Sequence, residues 1–270
     1  MTAVPFNRRV REVCSARDSL LCVGLDPDPE RLPSVVRGDV RAFLRAIVSA
    51  TAPYAAAFKL NAAFYEALGP QGWSVLQETM TAIPEGVLKI YDAKRGDIGN
   101  SSRFYARSSF ALLGADAVTV NPYMGYDAVA PFLEYPGKGV FVLCLTSNPG
   151  AEDLQYLASE QGPLYERVAQ LARAWNRQDN VGLVVGATRP EPLRRLRALV
   201  PELPFLVPGI GAQGGEVAQV VPAALDADGL GALFNASRSI LYASSGPDFA
   251  EAAARAAESL RSQINLHRRR

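Results

Sequence analysis

Tyr91-Asp92-Ala93-Lys94-Arg95-Gly96-Asp97 places two carboxylates around a lysine, directly after the apolar run Val87 to Ile90. That run reads as a short buried strand, and the amphipathic stretch from Ile98 to Leu113 reads as a helix. Asp92 and Lys94 therefore fall where a strand gives way to a loop. Their i, i+2 spacing puts both side chains on one side of an extended backbone. Carboxylates on either side favour an ammonium over a neutral amine, and a positioned ammonium can donate a proton or stabilise negative charge. Taken alone, the same residues also describe an ion pair at a loop, with Asp97 capping the helix that follows.

Other strand ends argue for chemistry. Asp26 ends the apolar run Leu20 to Leu25, and Lys59 ends the run Tyr54 to Phe58. Asn121 follows Ala117 to Val120, and Thr146-Ser147-Asn148 follows Gly139 to Leu145. Later strands end differently. Pro208-Gly209-Ile210-Gly211-Ala212-Gln213-Gly214-Gly215 is a glycine-rich turn into a helix, and Asn235-Ala236-Ser237-Arg238 follows the last strand. Glycines let backbone N–H groups approach an anion, a helix N-terminus favours its charge, and Arg238 adds a planar, permanently charged donor. A lone glycine-rich turn is weak evidence, but two such loops on adjacent strands favour a phosphate site.

The elements that must position these groups alternate along the chain. Eight apolar strands can be read: Leu20 to Leu25, Tyr54 to Phe58, Val87 to Tyr91, Ala117 to Val120, Gly139 to Leu145, Gly182 to Val185, Phe205 to Val207 and Gly229 to Phe234. Helical patterns separate them. Near-continuous apolar strands are the mark of a parallel sheet covered on both faces. Eight such units in 270 residues predict one α/β domain over residues 1–270, a (β/α)8 TIM barrel. Pro5 to Arg17 reads as a short amphipathic helix covering one end, and Arg268 to Arg270 as a solvated basic tail. In this fold the strand C-termini converge on one mouth, which gathers Asp26, Lys59, Asp92, Lys94, Asn121, Ser147 and Arg238. The longest connection, Asn148 to Gln161, is where a lid could lie.

Composition excludes several classes. A formal net charge of +1 gives no broad field for nucleic acid or a membrane surface. A single histidine, His267, argues against zinc sites and histidine triads. Three scattered cysteines suggest a reducing compartment, and no apolar run is long enough to span a membrane, so a cytoplasmic protein is expected.

These residues resemble orotidine 5′-phosphate decarboxylase. The resemblance rests on Asp92-x-Lys94-x-x-Asp97-Ile98, Gly24-Leu25-Asp26, Phe58-Lys59-Leu60-Asn61, Pro208-Gly-Ile-Gly-Ala-Gln213-Gly214 and Ser237-Arg238-Ser239-Ile240, in the family's order and at similar spacing. Thr146 to Gly150 and the long segment after it are similar to the longer bacterial, type 2 subgroup. The resemblance implies a homodimeric barrel that decarboxylates orotidine 5′-monophosphate to uridine 5′-monophosphate (UMP), in de novo pyrimidine synthesis, without cofactor or metal. It implies Lys94 as proton donor to C6 and Asp92 beside the substrate carboxylate. Lys59 and Asp97 complete the charge array, Asp97 from the neighbouring subunit. Asp26 is assigned to the ribose, Ser147 to the pyrimidine edge, and Gln213 and Arg238 to the phosphate. Ile98, Ser101, Asn121, Asn148, Pro208 and Gly214 are further substrate-binding candidates. Ser101 stands where the family usually has threonine, keeping the hydroxyl that reaches across the dimer.

Three alternatives stay open on sequence. A Schiff-base aldolase would also be a lysine-centred barrel with a phosphate site, although its lysine must lose its proton. A related decarboxylase of sugar-acid phosphates shares the Asp-x-Lys-x-x-Asp pattern and uses magnesium. A catalytically silent nucleotide-binding protein would keep the pocket without turnover.

Overall fold

In the computed structural model, which describes residues 3–160, 162–211 and 214–268, eight apolar runs form eight parallel strands. They are β1 (Leu21–Gly24), β2 (Ala57–Asn61), β3 (Leu88–Arg95), β4 (Ala117–Val120), β5 (Gly139–Leu145), β6 (Val181–Val185), β7 (Phe205–Pro208) and β8 (Ala232–Ala236). Each pairs with its sequence neighbour, and β8 returns to β1 through Leu21↔Phe234, Cys22↔Asn235 and Val23↔Ala236. The sheet is therefore a closed barrel, which leaves no edge strand unpaired. Most strand residues are buried, as their near-continuous apolar sequences require.

Helices on the outside supply the crossovers that parallel strands need. They include α2 (Val40–Thr51), whose N-cap Asp39 accepts from the Arg41 and Ala42 N–H groups, the short α3 (Ala62–Glu66), α4 (Gly72–Ala82), α8 (Leu164–Trp175), α9 (Pro190–Leu199) and α12 (Phe249–Arg268). The expected N-terminal helix is α1 (Phe6–Ala16), and it closes the N-terminal end of the barrel. Phe6 is fully buried edge-to-face with Phe141, and the Asn7 amide donates to the Val181 carbonyl at the start of β6. Gly139 has no side chain because the Phe6 ring occupies that space, about 2.1 Å from where a Cβ would sit.

Strand bounds differ from the sequence expectation in three places that bear on function. β2 starts at Ala57, not Tyr54, because Tyr54 closes a turn on Thr51 and its carbonyl accepts the Ser19 hydroxyl. Lys59 thus lies inside β2 and is buried. β3 runs on through Asp92 and Lys94 to Arg95, with an irregularity: Tyr91 pairs with Val118, yet Arg95 pairs with Val120. β8 begins at Ala232, because Gly229 and Gly231 take positive φ in the turn before it.

After β3 the chain forms α5 (Gly99–Arg107) and then a π-helical turn, Ser108–Leu112, where the Ser109 hydroxyl bonds back to the Tyr105 carbonyl. The helix after β4, α6 (Tyr126–Leu133), has no assigned bounds in the sequence reading and contains Pro131. The long connection after β5 holds a short helix, α7 (Ala151–Leu154), and a two-stranded ribbon pairing Ala158–Ser159 with Gly162–Pro163. The expected solvated tail differs at Arg268. That residue ends α12, and its guanidinium donates to the Gly229 carbonyl; Arg269 and Arg270 lie outside the described residues.

Candidate active site

β1, β2 and β3 deliver a chain of alternating charges to the C-terminal mouth. Lys59 Nζ lies 3.7 Å from Asp26 Oδ1 and 3.0 Å from Asp92 Oδ2, and Lys94 Nζ lies 2.8 Å from Asp92 Oδ1. Asp26, Lys59 and Asp92 are all buried. The Lys94 side chain is 47% exposed. Its ammonium is anchored on one side by a buried carboxylate and open to the mouth on the other.

Burial sets the electrostatics. It opposes charge on Lys59, but the Asp92 and Asp26 carboxylates outweigh it and raise the lysine well above its usual range. Burial likewise works against the Asp92 carboxylate, yet Lys59 and Lys94 overcome it and hold the group at about 2. Both are charged at neutral pH. Two cations and two carboxylates balance, which is how charges are tolerated in a barrel interior.

Neutral groups orient the carboxylates. Asp26 Oδ2 accepts the Ser237 hydroxyl at 2.7 Å, and Oδ1 accepts the Asn61 N–H at 3.2 Å. Asp92 Oδ1 also accepts the Thr119 hydroxyl at 2.8 Å. Gly24 is required by this packing, since a Cβ there would lie 1.8 Å from Ser237 Oγ and 3.1 Å from Asp26 Oδ2.

The glycine-rich loop after β7 and the loop after β8 are neighbours. Gly209 donates its N–H to the Asn235 carbonyl, and Gly211 sits beside the Ser239 hydroxyl. Gly209 and Gly211 have φ of +94° and +95°, a region that favours glycine. Pro208 ends β7, and Gly214 begins α10 (Gly214–Ala224). Arg238, the first residue of the short α11 (Arg238–Leu241), is exposed. It forms no ion pair among the described residues. Gln213 lies outside the described residues.

Above β5, the Thr146 hydroxyl bonds Asn148 Oδ1 at 2.6 Å, and Gln155 bridges to the Thr146 N–H and hydroxyl. Ser147 is exposed, packs over Gly186 and has no hydrogen-bond partner for its hydroxyl among the described residues. Asn121 follows β4, but its Oδ1 accepts the Tyr123 N–H. It faces an apolar cavity of about 590 Å³ between β5 and α8, lined by residues such as Leu143, Val168 and Trp175. That cavity contains none of the charged array.

Asp97, Ile98 and Ser101 stand apart from the array. Asp97 is half-buried and forms no ion pair among the described residues; Oδ1 accepts the adjacent Ile98 N–H. The cap position of α5 is held by Ile98, so the capping role considered for Asp97 does not apply. Asp97 and Ser101 line a surface cavity of about 390 Å³ with Phe104 and Tyr105, and Ile98 and Phe104 are exposed.

Sequence reasoning passed over Thr119 and gave no role to the Ser237 hydroxyl. The available signal at Thr119 was a lone hydroxyl in Ala-Val-Thr-Val, an otherwise apolar strand.

Comparison with known proteins agrees with the geometry. A family model described as "Orotidine 5'-phosphate decarboxylase / HUMPS family" matches residues 19–256. The chain is 51% identical over 269 residues to an orotidine 5′-phosphate decarboxylase of Dehalococcoides mccartyi, covering 98% of this chain and 99% of that protein. It is 48% identical over 259 residues to the protein of the same name from Herpetosiphon aurantiacus, covering 94% and 95%. The solved structure of Leishmania donovani OMP decarboxylase matches with a TM-score of 0.86 at 43% identity, covering 99% of this chain and 100% of that one. With a closed eightfold barrel, a lysine–carboxylate array at its mouth and relatives this similar over nearly their whole length, the chain belongs to the orotidine 5′-phosphate decarboxylase / HUMPS family.

Proposed function

We propose that this chain is a cytoplasmic enzyme that converts orotidine 5′-monophosphate to UMP and CO₂ in pyrimidine nucleotide synthesis, with Lys94 as proton donor. The observation that carries this reading is the half-exposed Lys94 ammonium held 2.8 Å from buried Asp92. When the C6–carboxylate bond breaks, its electron pair stays on C6, where the ring offers little delocalisation. A fixed ammonium stabilises that charge and then gives C6 a proton, leaving CO₂ as the other product. Lys94 is left as an amine, and its exposure lets solvent restore the proton. Asp92 holds the lysine in place and sets negative charge beside the substrate carboxylate. Lys59 keeps Asp92 ionised.

The rest of the substrate is assigned by position. Asp26, oriented by Ser237 and the Asn61 N–H, takes a ribose hydroxyl. Ser147, whose hydroxyl has no partner among the described residues while Thr146 and Asn148 bond each other, takes the pyrimidine edge. Arg238, Gln213 and the loop from Pro208 to Gly214 take the phosphate. Binding energy there, far from C6, can be spent on the chemical step. Asp97, Ile98 and Ser101 serve the site of a second copy in a homodimer, which accords with their separation from their own array.

The test is loss of orotidine-monophosphate absorbance with a chelator present. The parent turns over, while Lys94→Ala loses at least about a thousandfold in kcat and still binds UMP. Retained turnover in Lys94→Ala would remove Lys94 as the donor.

A further inference from the structure

β4 carries one hydroxyl, and it sits opposite the irregular part of β3. Thr119 is fully buried. Its Oγ1 donates to Asp92 Oδ1 at 2.8 Å and accepts the Lys94 backbone N–H at 2.9 Å. A hydroxyl has one donor and two acceptor sites, so the two bonds do not compete.

The register explains why they are needed. β3 advances from Tyr91 to Arg95 while β4 advances only from Val118 to Val120. The extra residues on β3 form a bulge containing Asp92, Ala93 and Lys94, and a bulge re-aims side chains at the expense of ladder bonds. Lys94 has φ of +47°, a left-handed conformation that is disfavoured for an L-residue other than glycine. Such a backbone persists where its surroundings hold it. The Thr119 hydroxyl takes the Lys94 N–H at the point where regular pairing with β4 is interrupted.

We infer that Thr119 is a positioning residue for the decarboxylation. One hydroxyl fixes the rotation of the Asp92 carboxylate and the backbone of Lys94, so the carboxylate and the ammonium are aimed together. This rests on the reading of Lys94 as proton donor. Asp92 Oδ1 receives the Thr119 hydroxyl and the Lys94 ammonium at the same distance, 2.8 Å. Removing the hydroxyl frees the carboxylate to turn and the bulge to relax, and the ammonium then drifts from C6.

The experiment compares Thr119→Val, which keeps the shape without the hydrogen bonds, with Thr119→Ser, which keeps the hydroxyl without the methyl group. Lys94→Ala is run beside them, and thermal melting checks each fold. Thr119→Val is expected to lose roughly tenfold to a hundredfold in kcat, the cost of misplacing a reacting group by about 1 Å, with KM within about threefold of the parent. Thr119→Ser is expected to recover kcat to within about threefold. Should Thr119→Val not fold, Thr119→Cys, near in size to serine but a weak donor, takes its place with the same expectation against serine.

A parental kcat in Thr119→Val beside an inactive Lys94→Ala would overturn this inference and leave the donor assignment standing. Equal losses in the valine and serine variants would overturn it, because a retained hydroxyl would then fail to restore turnover. Turnover by Lys94→Ala would overturn both.

Discussion

Asp92 is the residue on which the site's electrostatics turn, because each of its oxygens serves a different lysine. A carboxyl held at about 2 contributes stability that is complete above its free value of 3.8 and is lost as pH falls through about 2. Lys59, raised instead, contributes below its free value of 10.5 and loses that contribution only as pH climbs beyond it. At neutral pH both contributions are present. Lys59→Met leaves Asp92 buried with one cation fewer. The variant is expected to lose roughly 3 kcal/mol at pH 7, and less at pH 4, where Asp92 can take up a proton instead. Urea melts at the two pH values check this, and an equal loss at both would show that the lysine acts by packing alone. Gly24 makes a second prediction. The alanine methyl of Gly24→Ala must displace the Ser237 hydroxyl from Asp26. KM should rise about tenfold, the worth of one good hydrogen bond, with a smaller effect on kcat.

The elements show what a sequence can and cannot reveal. Runs such as Gly139 to Leu145 and Ala117 to Val120 are legible to the residue, because a strand buried on both faces is apolar almost throughout, Thr119 being the exception, and polar residues stand at either end. Asp26, Lys59, Asp92 and Lys94 are legible as a group for a related reason: charge at the end of an apolar run is costly without a partner. The bulge is not legible. It depends on the register between β3 and β4, which no local pattern in either strand encodes. The starts of β2 and β8 are set by local turns, one closed by Tyr54 on Thr51 and one carrying Gly229 and Gly231 at positive φ. Arg197, read only as part of a helix, is another case. Burial lowers its guanidinium to about 10, yet it donates to the carbonyls of Ala224, Val200, Pro201, Leu203 and Gly231 and lies 3.7 Å over the Phe205 ring. It ties α9 to the starts of β7 and β8, at the end of the barrel away from the mouth. Arg197→Met should cost roughly 3 kcal/mol in chemical denaturation, because several buried carbonyls lose their donor, while KM stays at the parental value. A large change in KM would show that this end of the barrel is coupled to the site.

At the scale of the whole molecule, the two ends of the barrel divide the work. The C-terminal mouth holds the charges, and the N-terminal end is filled by Phe6 and braced by Arg9–Asp116 and Arg11–Asp226 ion pairs. Asp97, Ile98 and Ser101 face outward beside exposed Phe104 and Tyr105, and the proposed homodimer gives them a site to complete. Mixing tests this. Lys94→Ala and Asp97→Ala are each expected to be inactive alone. After subunit exchange, half of the dimers are hybrids with one site free of both lesions, so about a quarter of parental activity should return. No recovery after verified exchange would place Asp97 in its own subunit's site.

The plug at the N-terminal end also has an order in time. Asn7 bonds Val181, 174 residues further along the chain, and Arg11 pairs with Asp226, 215 residues away. α1 precedes these partners on the chain, so during synthesis Phe6 waits in water for β5, and Asn7 and Arg11 wait longer still for theirs. Closure of the lower rim is therefore completed late, and a nascent chain stalled before β5 would present that phenylalanine to any chaperone that reads exposed aromatic surface.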